Sequence, residues 1–308
     1  MSFKQAFLPV GLVVAIVAAL VAPGAGVAMQ EAGMIAVFVS IIFLVNGWEF
    51  RLTGTRVGGG LWSALVSSAV LSLLAGPFVG LWTGRLFGGD PRLLTGLVVM
   101  SAVPVTLSSA IVMSEISGGN RAWALLMTIG LNLAGIFTLP FMLKLTLGAT
   151  GQIDISVAGL LWNLIKLVLL PFLAGMVARR LFGGGTGRVP LLSYVPSACV
   201  ILTVFVGFAA SRDLLVGLPA GRYPPIGGAA FMVHAVLLAA AFGLARLLRL
   251  GRAERNTFVF ISSQKTLPLA VGVIAIIAPS NAVALVPCLL FHFIQLFFDS
   301  FLAARLAR

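Results

Sequence analysis

Long runs of apolar residues alternate with short polar stretches along the whole chain. Ten of these runs are each about the length, near 20 residues, that a helix needs to cross the hydrocarbon core of a bilayer. We number them segments 1 to 10: Ala6–Ala22, Ala32–Phe50, Leu61–Trp82, Leu93–Met113, Ala122–Leu143, Val157–Val177, Leu191–Ala210, Ile226–Leu248, Asn256–Ile277 and Val283–Ala304. The pattern predicts an all-α polytopic membrane protein with about ten transmembrane helices.

Two stretches leave alternatives open. Segment 1 is followed by small residues at Ala25–Ala28, as in a cleavable signal peptide. We favour a membrane helix there, because the internal repeat described below needs this segment. The glycine-rich stretch Gly183–Arg188 is either a hinge between parts of the protein or a flexible cytoplasmic linker.

Composition and charge narrow the class of protein. The chain is 60% hydrophobic and 9% charged, far from the roughly 25% charged residues of soluble domains. With both termini in the cytoplasm, thirteen of the 20 basic residues lie inside and five outside, as the positive-inside rule requires. The net charge of +12 therefore reflects topology, and we expect no nucleic-acid partner. We expect an integral multi-pass protein of the bacterial inner membrane.

Several classes of site have no motif in the sequence. There is no G-x-x-x-x-G-K-[ST] loop, so no ATPase subunit is implied. The two histidines, His234 and His292, are too far apart for a zinc site, and we predict no metal centre and no cofactor apart from a coupling Na⁺.

Segment 9 has a polar middle. Ser262, Ser263, Gln264, Lys265 and Thr266 follow one another there, and Pro268 comes two residues later. A lysine at bilayer depth costs about 2.5 kcal/mol or more on insertion scales. Proline lacks the N–H that would continue the helical hydrogen bonds. We therefore predict a broken helix whose backbone lines a cavity or is buried in protein, rather than a kinked helix with a snorkelling lysine.

Segment 4 is interrupted at the corresponding place, by Pro104, Thr106, Ser108 and Ser109. Pro104 and Pro268 lie at similar depths in the fourth and the ninth segment. A matched pair of broken segments indicates an inverted repeat with the binding site at the breaks. We predict a single transmembrane domain of two five-helix repeats, residues 1–147 and 155–308.

Four short motifs carry a resemblance to a known family. They are Pro104–Ser109 with Gly118-Gly119, Asn132–Phe137 in segment 5, Ser263–Leu267 in segment 9 and His292–Gln295 in segment 10. With these motifs the chain resembles the bile acid:sodium symporter family, in the branch of solute carrier family 10 member seven and its bacterial relatives.

The resemblance implies a panel domain of segments 1, 2, 6 and 7 and a core domain of segments 3–5 and 8–10. Segments 4 and 9 would cross in the core, and the two domains would rock against each other to carry organic anions, commonly with sodium. Two of the family's ion ligands would fall at Ala110 and Phe260, which are apolar here. Sodium is the first choice of coupling ion and the proton the second.

The chemistry of the breaks favours an anion. Helix N-termini carry partial positive charge and free N–H groups, and Lys265 adds a full charge. Lys265 could bind the solute, act as a permanent internal cation in place of sodium, cycle protons, or form a structural ion pair. Our candidates for substrate or ion binding are Ser262, Ser263, Gln264, Lys265, Thr266, Thr106, Ser108, Ser109, Asn132 and Thr128. These polar groups could instead satisfy the backbone of their own kinks or bond neighbouring helices.

A second set of polar residues could relay protons or ions. His292, Gln295 and Asp299 share one face of segment 10, and plain interhelical bonding is the alternative for them. Glu115 closes segment 4 and is either a solvated end residue or a proton carrier.

These features together predict a secondary active transporter of a small organic anion, working by alternating access within the lipid bilayer. A channel or regulatory membrane protein without coupled transport is the second hypothesis. A membrane enzyme, with Ser263 and His292 as its candidate pair, is the third.

Overall fold

In the computed structural model of the chain, the described part of each apolar segment is mostly helical. The structure describes residues 3–50, 60–88, 90–107, 109–148, 155–182, 192–217, 219–279 and 281–307. Their α-helices are α1 (Phe3–Val21), α2 (Gly24–Glu31), α3 (Met34–Glu49), α4 (Leu61–Ala69), α5 (Gly76–Leu86), α6 (Pro91–Ala102), α7 (Ser109–Ile116), α8 (Arg121–Thr146), α9 (Val157–Leu164), α10 (Leu170–Phe182), α11 (Val195–Ala210), α12 (Arg212–Val216), α13 (Tyr223–Leu247), α14 (Arg252–Ser263), α15 (Leu267–Ile277) and α16 (Leu285–Leu306). No strand occurs in these ranges.

Length and apolar composition make six helical stretches of the described chain long enough to cross a membrane, or seven if α1 and α2 form one span. Helix α2 was not predicted, and it turns away from α1 by 97°. The helices Met34–Glu49, Pro91–Ala102 and Val195–Ala210 are apolar but shorter. The chain is thus a polytopic membrane protein, while the count of ten spans and the inverted repeat stay predictions.

Two proline residues shape the helical segments 3 and 6. A π-helical stretch, Val70–Ala75, joins α4 to α5, and Pro77 follows it. A second one, Ile165–Leu169, joins α9 to α10, and Pro171 follows it. Each proline removes one backbone N–H, and the helix responds by widening for one turn rather than ending.

Glycine lets one pair of helices pack closely. Helix α3 packs against α10 and α11, and α1 packs against α11. A Cβ on Gly47 would lie 2.0 Å from the Phe172 carbonyl oxygen, and a Cβ on Gly175 would lie 2.0 Å from that of Leu44. The backbones of α3 and α10 therefore touch, as small residues allow between membrane helices.

The remaining segments form the surroundings of the two broken helices. Helix α6 packs against α5, α15 and α16, α14 packs against α7, α8 and α13, and α13 packs against α5 and α16. Large apolar side chains such as Trp62 and Trp82 point outward, where a bilayer would cover them. The predicted stretch Gly183–Arg188 lies outside the described residues.

Candidate functional site

Segment 9 is broken where the sequence predicted. Helix α14 ends at Ser263, Gln264 and Thr266 are extended with ψ angles of 151° and 118°, and α15 begins at Leu267 with Pro268 in its first turn. Gln264 and Lys265 are fully buried and Thr266 is 9% exposed. The irregular backbone is therefore enclosed in protein, as its unpaired polar groups require.

Segment 4 is broken over a longer stretch. Helix α6 ends at Ala102, Val103 is extended, and α7 begins at Ser109. The ring of Pro104 packs on α8, where a Cβ on Gly135 would lie 2.9 Å from the proline Cγ. The candidate residue Ser108 lies outside the described residues.

The two breaks meet in the protein interior. The backbone N–H of Thr266 donates to the carbonyl oxygen of Pro104 over 2.9 Å. The hydroxyl of Ser109 donates to Oε1 of Gln264 over 2.8 Å and lies 2.6 Å from the hydroxyl of Thr106. The N-termini of α7 and α15 are thus brought to one place, as the family resemblance implied for the two broken segments.

An amide side chain on a neighbouring helix holds each break. Nδ2 of Asn132, on α8, donates to the carbonyl oxygens of Val105 and Thr128 over 3.1 and 2.8 Å. Gln295, on α16, accepts from the N–H of Lys265 over 2.9 Å and donates to its carbonyl over 2.8 Å. These two side chains thus give partners to three backbone groups of the breaks, the Val105 carbonyl and the N–H and carbonyl of Lys265.

Segment 10 carries the predicted polar face inward, and a residue that sequence reasoning missed joins it. Asp299 accepts from Nε2 of Gln264 over 2.7 Å and bonds Nε2 of His234 over 2.9 Å. His234, on α13, was considered only as a zinc ligand. His292 Nδ1 accepts from Gln295 over 3.1 Å. The signal that could have found His234 is its mid-helix position in segment 8, since polar residues there normally face a partner.

Lys265 has oxygen partners but no ion pair with a described acidic residue. Its ammonium donates to the carbonyl oxygen of Ser72 over 2.5 Å and bonds the Ser72 hydroxyl over 2.9 Å. Both partners belong to the π-helical stretch of segment 3. A structural ion pair, one of the roles left open for Lys265, is therefore not formed with any described acidic residue.

Other candidates lie outside this network. The hydroxyl of Ser262 donates to that of Ser68 over 2.8 Å, and Ser263 donates to the Val259 carbonyl over 2.9 Å. Ser263 and His292, the candidate enzyme pair, thus have other partners. Glu115 forms an exposed ion pair with Arg121 over 3.1 Å, at the end of α7 away from the breaks.

Thr128 and Asn132 present free acceptors beside the segment 4 break. Oγ1 of Thr128 and Oδ1 of Asn132 are buried and have no hydrogen-bond partner in the structure. Both residues are on α8, one turn apart. Such oxygens suit a hard cation or a hydrogen-bond donor, because a buried acceptor without a partner costs about 1–3 kcal/mol.

Asn132 also lines a narrow cleft between two groups of helices. One side of the cleft is lined by Leu107, Ile129 and Leu133. The other side is lined by Phe43, Val168 and Phe172. Its volume of about 10 Å³ is room for one water molecule. The cleft is closed to any metabolite in this conformation.

A larger cavity, about 70 Å³, lies away from the breaks. Phe87, Asp90 and Arg222 line it, and Asp90 and Arg222 approach to 3.7 Å. Its residues belong to α5, α6, α13 and α16 and to the stretches beside α5 and α13. We take the breaks as the candidate functional site instead, since they combine burial, free acceptors and a buried charge.

Comparison with known proteins decides the class. Residues 5–308 match the SBF-like CPA transporter family. The chain belongs to this family. The resemblance that the four motifs predicted is thereby confirmed, and with it the description as a transporter-type membrane protein.

Curated relatives agree with the family. A probable sodium/metabolite cotransporter, BASS4, of Oryza sativa subsp. indica is 27% identical over 96% of this chain and 74% of its own. The putative symporter YfeH of Escherichia coli is 27% identical over 88% of this chain and 83% of its own. Sodium/bile acid cotransporter 7 of Xenopus tropicalis is 24% identical over 68% of this chain and 63% of its own.

Proposed function

We propose that this protein is a secondary active transporter that carries a small organic anion across the cytoplasmic membrane by alternating access, coupled to sodium. The observation that carries the proposal is the hydrogen bond between Thr266 and Pro104. It joins two broken helices at the centre of a membrane protein, where transporters of this kind bind their solutes.

The charge at the breaks favours an anion as solute. The N-termini of α7 and α15 come together there, and helix N-termini attract negative charge. Ser109 and Thr106 offer hydroxyl groups beside them. Leu107, in the same break, borders the closed cleft. An anion that enters when the cleft opens would meet this polar end first.

Sodium is the favoured coupling ion. Relatives carry the words sodium and cotransporter in their names. In this chain, Oγ1 of Thr128 and Oδ1 of Asn132 are buried oxygens without a partner, and both lie beside the segment 4 break. A Na⁺ bound to them would tie ion occupancy to the conformation of that break. Proton coupling is the second choice, because the side chains of His234 and Asp299 are buried in contact with each other.

The panel and core domains provide the moving parts of this proposal. Helices α3, α10 and α11 pack together on one side of the cleft, and the broken segments with α8 lie on the other. Rocking one group against the other would open the cleft alternately to each side of the membrane. The predicted inverted repeat would make the two open states similar in shape.

Flux measurements in proteoliposomes test the proposal. A panel of mono-, di- and tricarboxylates and sulfated sterols is first screened for sodium-dependent stabilisation of the detergent-purified protein. Radiolabelled forms of any stabilising anion are then assayed for uptake. We expect saturable, sodium-dependent uptake and counterflow. Single-channel conductance, or flux without saturation or counterflow, would instead support the channel hypothesis.

A further inference from the structure

The ammonium of Lys265 is held by oxygens of segment 3 and does not border the cleft. It is fully buried and bonds the carbonyl and hydroxyl oxygens of Ser72. The cleft lies on the side of Leu107 and Asn132, and Lys265 does not line it. In this conformation the Lys265 ammonium does not contact a solute in the cleft. We therefore infer its role from the oxygens that surround it.

The Ser72 carbonyl is available because of Pro77. In the π-helical stretch the N–H of Gly76 bonds the carbonyl of Leu71, five residues back. The next N–H in this register would come from residue 77, and proline has none. The carbonyl of Ser72 therefore lacks a donor within its own helix, and a cation or an external donor has to take that place.

A third oxygen borders the same glycine as the ammonium. A Cβ on Gly76 would lie 3.3 Å from Nζ of Lys265 and 2.7 Å from the carbonyl oxygen of Ser101. Ser101 is in the last turn of α6, where carbonyls are free of helical partners and the helix dipole is negative. A side chain on Gly76 would thus contact both the Lys265 ammonium and the Ser101 carbonyl, and the bare glycine leaves room for both.

We propose that the Lys265 ammonium is a built-in cation in a site whose oxygens bind Na⁺ once the ammonium is removed. Backbone carbonyls from a distorted helix, the C-terminal end of a half-helix and a hydroxyl are the ligands that membrane transporters use for Na⁺. Among the described residues no acidic side chain pairs with the ammonium, and its hydrogen-bond partners there are the Ser72 oxygens. If the proposed function holds, the wild-type carrier moves one Na⁺ fewer per transport cycle than a carrier in which this site is open. This consequence rests on the proposed function.

Thermal unfolding in detergent, in sodium chloride against choline chloride at equal ionic strength, tests the proposal. Lys265→Ala vacates the site, and Lys265→Met is the matched control that removes the charge but fills the space. We expect the sodium-specific rise in melting temperature to be about 2–4 °C larger in Lys265→Ala than in wild type, at sodium a few times above the dissociation constant. Lys265→Met should show no such excess, and adding Ser72→Ala to Lys265→Ala should reduce it.

An equal sodium response in wild type and Lys265→Ala would overturn the proposal. If Lys265→Ala is monodisperse in sodium and aggregates in choline, Na⁺ has replaced the ammonium and the proposal is supported. If it aggregates in both salts, Lys265→Ser, which adds a hydroxyl oxygen, takes its place. Aggregation of both variants in both salts would show that Na⁺ cannot take the ammonium's position, and this also overturns the proposal.

These outcomes are independent of the proposed function. The melting-temperature difference reports ion binding by the folded protein, whereas the proposed function is tested by uptake. A protein without anion flux whose Lys265→Ala variant gains a sodium response would refute the carrier and keep the cation site. Sodium-coupled uptake without a gained sodium response in Lys265→Ala would support the carrier and refute the cation site.

Discussion

The breaks of segments 4 and 9 are built differently although they meet. In segment 9 the break is short and buried, and Gln295 satisfies both the N–H and the carbonyl of Lys265. In segment 4 it is longer, and Asn132 satisfies one carbonyl of the break while its own Oδ1 has no partner. We infer that the segment 9 break chiefly holds the structure together, and that the segment 4 break is the one that meets ligands.

The largest effect on stability should come from Gln295→Ala. The substitution leaves the N–H and the carbonyl of Lys265 without partners, and each unsatisfied buried group costs about 1–3 kcal/mol. We expect a loss of about 2–4 kcal/mol, measured by denaturant unfolding in detergent. Ser300→Ala on the same helix removes an exposed hydroxyl bond and serves as control, with an expected change within about 0.5 kcal/mol. Equal stability of the two variants would show that the hydrogen bonds of Gln295 to Lys265 do not stabilise the fold.

Gly135→Ala should be next in size. Its new methyl group would lie 2.9 Å from Cγ of Pro104, and overpacking of this kind typically costs about 1–3 kcal/mol. Because Pro104 is displaced with its carbonyl, the hydrogen bond from Thr266 should weaken. We therefore expect the rate of uptake to fall even if most of the free energy of unfolding is kept. Gly243→Ala, where the methyl meets nothing within 4 Å, is the control. Unchanged uptake by Gly135→Ala would show that the break tolerates a shift of Pro104.

Ser109→Ala removes the side-chain link between the breaks. The variant loses the bonds to Gln264 and Thr106, and one such hydrogen bond is worth about 0.5–1.5 kcal/mol. We expect a loss near 1 kcal/mol together with weaker anion binding, seen as a higher KM for uptake. Ser63→Ala, which removes an exposed bond to Gly60, should change neither quantity. A KM equal to that of wild type would exclude Ser109 from the solute site.

Thr128→Val should have the smallest effect on stability. It tests most directly whether the segment 4 break binds the ion. Oγ1 of Thr128 is buried without a partner, so replacing it with a methyl group should leave the stability within about 0.5 kcal/mol of wild type or raise it. The sodium-specific rise in melting temperature should shrink, because a candidate ligand is lost. Thr203→Val on α11, whose hydroxyl bonds the Cys199 carbonyl, is the control and should keep the sodium response. A sodium response in Thr128→Val equal to that of wild type would show that the Thr128 hydroxyl is not a ligand of the ion.

Much of the fold could be read from the sequence. Apolar runs of bilayer length gave the helical segments, and Pro104 and Pro268 marked the two that break, because a missing N–H acts locally. The positions of Gln295 and Asp299 on an inward face also followed from helical spacing. Helix α2 was not foreseen, since its composition of small residues, Gly24–Glu31, favours no single structure.

Partners across helices were beyond the sequence. Hydrogen bonds such as Asp299 to His234 and Lys265 to Ser72 join residues that are 65 and 193 positions apart, and no local pattern records which helices become neighbours. The sequence left four roles open for Lys265, an ion pair among them, because it shows the charge but not the oxygens that surround it.

The sequence by itself determined that this chain is a membrane protein of apolar helices, two of them broken, because bilayer length, proline and buried polarity act on a segment irrespective of its neighbours. Only the tertiary structure decided where the polar groups of the breaks are directed. Packing brings the Pro77-freed carbonyl of segment 3 to Lys265 and leaves the oxygens of Thr128 and Asn132 unpaired. Satisfaction of a buried polar group is a property of the folded assembly, since its partner can come from any helix.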